Sequence, residues 1–373
     1  MVGARGPGRN AGPNSIRKLT PKAFELKRIV MIKRLVRSAA LLTPILLLTT
    51  SVIAQEQQFA DLGDFRLASG EVIKECRIGY RTFGKLNQDK SNVVLFPTWA
   101  SGTSEQLKSN IGRGRLVDDT RYFVVAVDAL SNGVSSSPSN SRRQPRMSFP
   151  KITMADVVNT QHELLTKILH LNHLYAVLGV SMGGMQTFQW MVSYPDFMDR
   201  AVPIAGSPRL APYDLLQWQT QLDAILHDAD WNQGNYTVNP ARAAEAEFGA
   251  LLLTTPDHFN QESSREKVFA EIERGKADSH FDANDKIRQV QAMMSLDVSA
   301  PFKGSLEEAA ARVKARTFVI VSTKDHVVTP GPALEFARLM KARLLVLEGD
   351  CGHLAPSCEA GKVNPAVAAF LSD

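Results

Sequence analysis

Ser181 stands in the stretch LGVSMGGMQ (178–186), with Gly179 two residues before it, Gly183 two residues after it and Gly184 next in line. A serine hydroxyl is a weak nucleophile near neutral pH, so a chain that uses one needs a base to take its proton and an acid to orient the base. The G-x-S-x-G spacing gains weight from its setting. The run LYAVLGV ahead of it reads as a strand, and MGGMQTFQWMVSY behind it reads as a helix. At so sharp a turn the serine backbone is strained and side chains two positions away would collide, a collision that Gly179 and Gly183 avoid. Gly184 would then let the helix approach the neighbouring strands, and the helix N-terminus would aim the Met182 N–H at a developing oxyanion. The competing reading is a glycine-rich turn with an incidental serine.

Two later apolar runs end in the groups that such a serine needs. TFVIVSTKDHVVTP places Asp325 after one predicted strand, and LLVLEGDCGH places His353 after the next, in the chain order Ser, Asp, His. Asp350, three residues before His353, is an alternative orienting acid. His326 shares the loop of Asp325 and is expected at the surface or at the rim of a pocket. His162, His170 and His173 belong to the helix and turn before the elbow strand, and His227, His258 and His280 fall where no strand ends. Pairing Asp325 with His326, or Asp257 with His258, gives no recurring ligand spacing, so no metal or cofactor is expected. A second oxyanion donor is expected from PTWASG (97–102), where the N–H groups of Trp99 and Ala100 both qualify; the Trp99 ring could equally form a wall of the pocket.

The elements that must position these residues follow from hydrophobic patterning. Short, unbroken apolar runs at 93–96, 122–127, 174–180, 201–204, 317–321 and 344–347 suit parallel strands buried on both faces. DFRLASGEVI and CRIGYRTFG, which alternate, suit an antiparallel edge. Apolar residues at 154, 157, 158, 164, 165 and 168 predict a helix over 154–169. A second helix is predicted over 182–194, stopping at Pro195, and a third starts at Thr329-Pro330 with Thr329 as its cap. Residues 207–310 contain helix-like stretches and no convincing strand, which predicts a helical insertion. Serine-rich SNGVSSSPSNS (131–141) reads as a flexible loop. The fold class is α/β, with residues 55–206 and 311–373 forming the sheet-bearing core.

Composition limits the function classes. The chain of 373 residues is 44% hydrophobic and 22% charged, ordinary for a globular protein. Residues 1–54 hold ten Lys/Arg against Glu25 alone, so the formal +5 belongs to this leader and the remainder carries about four net negative charges. Nucleic-acid binding therefore has no electrostatic basis. From Met31, which could be the true start, a basic segment is followed by an apolar run and by Val52 and Ala54, as in a secretory signal peptide cleaved after Ala54. The alternative, a retained membrane anchor, suffers from a run broken by Pro44 and shorter than the roughly 20 residues a spanning helix needs. The mature chain is thus expected in the periplasm or outside the cell without a stable anchor. Export would favour a Cys351–Cys358 disulfide with Cys76 left over; the alternative is three free, mostly buried thiols.

On these residues the sequence resembles the homoserine O-acetyltransferase-like branch of the α/β-hydrolase superfamily. GVSMGGMQTFQWMVSYPDFMDRAVPIAGSPR is similar to that branch's elbow, helix and following strand, AILHDADWNQGNY to its helical-lid motif, and IGYRTFGKLN to its early strand pair. The resemblance implies a catalytic triad of Ser181, Asp325 and His353, a lid over 207–310, an acyl-enzyme in a ping-pong cycle, and a homodimer packed through the lids. Three departures separate the chain from acetyltransferases: Leu354 where an acidic residue is expected after the histidine, DHVV in place of an aspartate followed by Trp-Leu-Phe, and TWASG in place of His-Ala-Leu-Thr-Gly. The expectation is a serine hydrolase of small-molecule carboxylic esters, with water taking the acyl group. The alternatives are an O-acyltransferase delivering it to an alcohol or amine, and a binding protein that kept the fold without the reaction.

Overall fold

The computed structural model describes residues 55–277 and 280–373. The leader, including the signal-peptide expectation and Met31, lies outside the described residues. Eight strands form one sheet: β1 (Gln58–Arg66), β2 (Val72–Phe83), β3 (Val93–Pro97), β4 (Phe123–Val127), β5 (Leu174–Val180), β6 (Met198–Ile204), β7 (Arg316–Ser322) and β8 (Arg343–Leu347). Their order is β1-β2-β4-β3-β5-β6-β7-β8. β1 and β2 pair antiparallel, as do β2 and β4, and the remaining pairs are parallel.

The helices on the sheet and between its strands follow in chain order. α1 (Met154–Glu163) and α2 (Met182–Ser193) flank β5. Between β6 and β7 come α3 (Pro212–Leu226), α4 (Ala243–Leu253), α5 (Pro256–Glu262), α6 (Val268–Ala277), α7 (Ala283–Met294) and α8 (Leu306–Arg312). α9 (Gly331–Met340) joins β7 to β8, and α10 (Ala360–Ser372) ends the chain.

Strand alternation decides which core each side chain enters. Val93 and Leu95 of β3 and Val319 and Val321 of β7 join one core, with Val157 of α1, Phe188 of α2 and Phe336 of α9. Val94, Phe96, Phe318 and Ile320 point the other way, into a core completed by Val363, Val367 and Phe370 of α10. Both faces being covered, these strands read as unbroken apolar runs.

Four local expectations need correction. DFRLASGEVI is not one strand: Leu67 N–H donates to the Glu71 carbonyl at 2.9 Å and Gly70 N–H to the Leu67 carbonyl at 2.9 Å, so Ser69-Gly70 turn the chain between β1 and β2. The helix predicted over 154–169 is α-helical only to Glu163 and continues as a π turn over Leu164–Ile168. Thr329 does not cap α9; its N–H and hydroxyl both go to the Asp214 carboxylate at 3.0 Å, and Pro330 takes the cap position.

The largest correction concerns 131–141, which is no flexible loop. Ser131, Ser135 and Ser137 are fully buried. β4 pairs with β2 only from Tyr80 onward, so earlier β2 amides need other acceptors. Ser136 Oγ accepts from Arg77 N–H at 2.8 Å and Ser135 Oγ from Gly79 N–H at 2.9 Å. These hydroxyls satisfy backbone groups that β4 no longer reaches, because an unpaired buried amide is costly.

Candidate active site

Ser181 joins β5 to α2 with φ +58° and ψ −122°, a conformation that non-glycine residues rarely adopt. Its N–H donates to the Ile204 carbonyl at 2.9 Å and its carbonyl accepts from Met185 N–H at 3.0 Å. The strained turn is held on both sides. A Cβ on Gly179 would lie 2.2 Å from the Gly183 carbonyl oxygen, and one on Gly183 would lie 2.6 Å from that of Pro97. On Gly184 it would lie 2.7 Å from the Ile204 carbonyl oxygen, so this glycine lets α2 sit close to β6. All three obstacles are backbone atoms.

Three side chains far apart in the sequence come into contact at this turn. His353 Nε2 lies 2.9 Å from Ser181 Oγ, and His353 Nδ1 lies 2.7 Å from Asp325 Oδ2. Asp325 is buried on the loop after β7, and its other oxygen, Oδ1, accepts from Val327 N–H at 2.8 Å and Val328 N–H at 2.9 Å. Two backbone donors therefore fix the carboxylate while one oxygen remains for the imidazole. His353 is 8% exposed, on a short turn after β8. Gly352 before it has φ +60°, and a Cβ there would lie 2.9 Å from Thr254 Cα, where the segment between α4 and α5 crosses the turn.

The competitors are placed elsewhere. His326 is exposed. Asp350 faces His258, its Oδ1 3.2 Å from Nδ1, and does not orient His353. His162 stacks on Tyr194 with ring centroids 4.0 Å apart, where burial pushes its pKa down, and His173 meets Asp199 at the surface.

The loop after β3 is braced by groups that carry no sequence signal. Thr98 N–H donates to the Val127 carbonyl at 3.1 Å, and Ser101 N–H donates to Gln289 Oε1 of α7 at 2.7 Å. Among the described residues, the N–H groups of Trp99, Ala100 and Met182 have no hydrogen-bond acceptor. A relay of amides reaches the same loop from below: Trp190 Nε1 donates to Gln161, Gln161 to Gln186 at 2.6 Å, and Gln186 to the Thr98 carbonyl at 2.9 Å. Asp128 fastens the far end, accepting from Ser104 N–H and Ser104 Oγ, both at 2.7 Å.

A cavity of about 860 Å³ opens over Ser181 and His353. Trp99, Val180, Leu252, Val327 and Leu354 give it apolar walls, and Trp218, Gln221 and Lys286 enter it from α3 and α7. Among the described residues that line it, the only carboxylate is Glu245, which already meets Lys286 at 3.2 Å and Arg242 at 3.4 Å. Cys351 and Cys358 are joined in a disulfide around His353, with Cα atoms 6.5 Å apart, and Cys76 is a buried free thiol. Among the described residues no helix is long and apolar enough to cross a membrane.

A family profile described as alpha/beta hydrolase fold matches residues 91–357. The chain is 33% identical over 310 residues to the ethyl acetate hydrolase of Pseudomonas veronii, covering 80% of this chain and 89% of that protein. It is 29% identical over 357 residues to a homoserine O-acetyltransferase of Methanosalsum zhilinae, covering 83% and 71% respectively. Among solved structures, an acetylester hydrolase from Corynebacterium glutamicum superposes with a TM-score of 0.80 at 29% identity, covering 85% of this chain and 96% of that one.

Proposed function

The chain belongs to the α/β-hydrolase fold family, and from that premise we propose that it hydrolyses carboxylic esters of small molecules through an acyl-enzyme on Ser181. The observation that carries the reading is the unbroken line of contacts from Ser181 Oγ to His353 Nε2, 2.9 Å, and from His353 Nδ1 to Asp325 Oδ2, 2.7 Å. His353 takes the serine proton as Oγ attacks the ester carbonyl, and Asp325 holds the ring in the tautomer that leaves Nε2 free to accept. The N–H of Met182 and that of Trp99 or Ala100 receive the oxyanion. His353 returns the proton to the departing alcohol, then activates water against the acyl-enzyme. The helices of 207–310 act as the lid that gives the acyl group its walls.

Water, and not an amino alcohol, is the acceptor in this proposal. Leu354 lies beside His353 on the cavity wall where a carboxylate would hold an ammonium, and Glu245 is engaged by two cations. The basic, then apolar leader adds an address, the periplasm or the exterior, where acyl-CoA donors are scarce and water is not.

The test is turnover of an aryl acetate and covalent labelling by an active-site phosphonate, on wild type and Ser181→Ala, with and without homoserine. The expected result is loss of both signals in the variant and no diversion of the acetyl group to homoserine in wild type. Labelling that persists in Ser181→Ala refutes the nucleophile, and transfer of the acetyl group from the aryl acetate to homoserine makes the protein a transferase.

A further inference from the structure

An imidazole stands beside the disulfide. His258, on α5 of the helical insertion, places Nε2 3.5 Å and Nδ1 3.7 Å from Cys351 Sγ, and one ligand atom from each of His258, Cys351 and Cys358 fits within 4.8 Å of the others. Sequence spacing hides the group, because His258 is 93 residues from Cys351.

We infer that when Cys351 and Cys358 are reduced, their thiolates and the His258 imidazole form a binding site for a divalent metal of the Zn(II) class, tying the helical insertion to the loop that carries His353. Sulfur about 2.3 Å and nitrogen about 2.0 Å from a tetrahedral zinc lie about 3.5 Å apart, which is the separation found between Cys351 and His258. The second shell is in place. Asp350 Oδ1 sits 3.2 Å from His258 Nδ1, the carboxylate–histidine pairing that orients an imidazole so that Nε2 faces a metal. The insertion is also docked already, since Thr255 N–H and Thr255 Oγ both donate to the Asp350 carbonyl, at 3.3 and 2.7 Å. Cys351 Sγ is almost equidistant from the two ring nitrogens, so the imidazole must turn and the two sulfurs must part to bring all three ligands onto one ion. Cys358 is exposed, so a reductant reaches the bridge from solvent.

The chemistry balances with a dithiol as reductant: its two S–H groups become one S–S bond, and the Cys351–Cys358 bond becomes two thiols. Metal binding then displaces the two thiol protons, leaving a fourth position for water. Cys76 does not compete, being buried in β2 with its thiol pushed up to about 12 by desolvation.

Cobalt(II) reports the ligands directly, without reference to any enzymatic activity. The full chain is reduced by a dithiol, freed of reductant under anaerobic conditions and titrated with Co(II), then with Zn(II). The expected result is one ion per chain, with a near-ultraviolet thiolate-to-cobalt band and tetrahedral visible bands that zinc abolishes, and no such spectrum from the oxidised protein. Cys358→Ser should lose about half or more of the charge-transfer intensity, since one of the two thiolates is gone, His258→Gln should weaken binding at least tenfold, and Asp350→Asn should weaken it by about 10- to 100-fold. His258 is on a partly exposed helix, so its variant decides the matter if the serine variant folds poorly. A reduced wild type that takes up no cobalt overturns the proposal, as does a cobalt spectrum that His258→Gln leaves unchanged.

Discussion

Asp285, in the first turn of α7, is fully buried, and burial raises its carboxyl from the ordinary 3.8 to about 7. Ser139 opposes the rise, donating its N–H at 2.9 Å and its hydroxyl at 2.5 Å, while the nearby Asp282 carboxylate reinforces it. The folded protein thus holds this proton more tightly than the unfolded chain does. A group raised in this way contributes stability that is fully present below pH 4 and is lost as pH climbs toward 7. Over that span the loss is on the order of 4 kcal/mol, at most about 1.4 kcal/mol per pH unit. Asp285→Asn replaces the protonated acid by a neutral group of the same shape and should remove the loss. Thermal unfolding of both proteins between pH 4 and pH 8 measures it, and the difference between their curves cancels every other titration, including that of His162, whose lowered pKa gives the opposite slope. The variant should gain on wild type by several degrees across the interval, at roughly 2 °C per kcal/mol for a chain of this size. A difference that stays flat from pH 4 to pH 8 would mean that Asp285 is ionised throughout, and that burial does not govern it.

Substitutions at three further positions address the site. Asp325→Asn should lower kcat by about 10³- to 10⁴-fold with little effect on KM, since the new amide would keep Val327 and Val328 as donors while presenting N–H to His353 Nδ1 and forcing the wrong tautomer; activity within tenfold of wild type contradicts this. Gln289→Leu removes the acceptor of Ser101 N–H, and if the about 1–3 kcal/mol of the lost bond appears in the transition state, kcat falls by about 5- to 150-fold. Gln289→Glu, which keeps an acceptor, should recover most of that rate, and equal rates for both variants would show that the Gln289 brace on the loop after β3 does not reach the proposed oxyanion donors. Gly183→Ala pushes a methyl against the Pro97 carbonyl, where overpacking costs about 1–3 kcal/mol, and should lower both the melting temperature and the hydrolytic rate; a variant with the melting temperature of wild type shows that the loop can retreat without cost.

What could be read from the sequence divides along a physical line. The inner parallel strands were legible because burial on both faces leaves only apolar residues, and the elbow because backbone atoms close to 179, 183 and 184 exclude every side chain; β8, expected to be buried on both faces, is instead an edge strand with Leu344 43% exposed. Ser181, Asp325 and His353 stand out by type at the ends of those strands, and the structure brings them into contact. The bracing was not legible, and α7 shows why. Its buried face carries Asn284, Asp285, Arg288 and Gln289, residues that a periodicity argument assigns to solvent. Each is buried because a distant backbone group needs it: Gln289 for Ser101, Asp285 for Ser139, Asn284 for the carbonyl of Gly234, Arg288 for the carbonyls of Met147 and Phe149. The serines of 131–141 obey the same rule, as hydroxyls that look like a solvated loop until the unpaired amides of β2 are known. Polar residues chosen to satisfy a partner far along the chain have no period of their own, so their positions become intelligible only once the fold has brought that partner within reach.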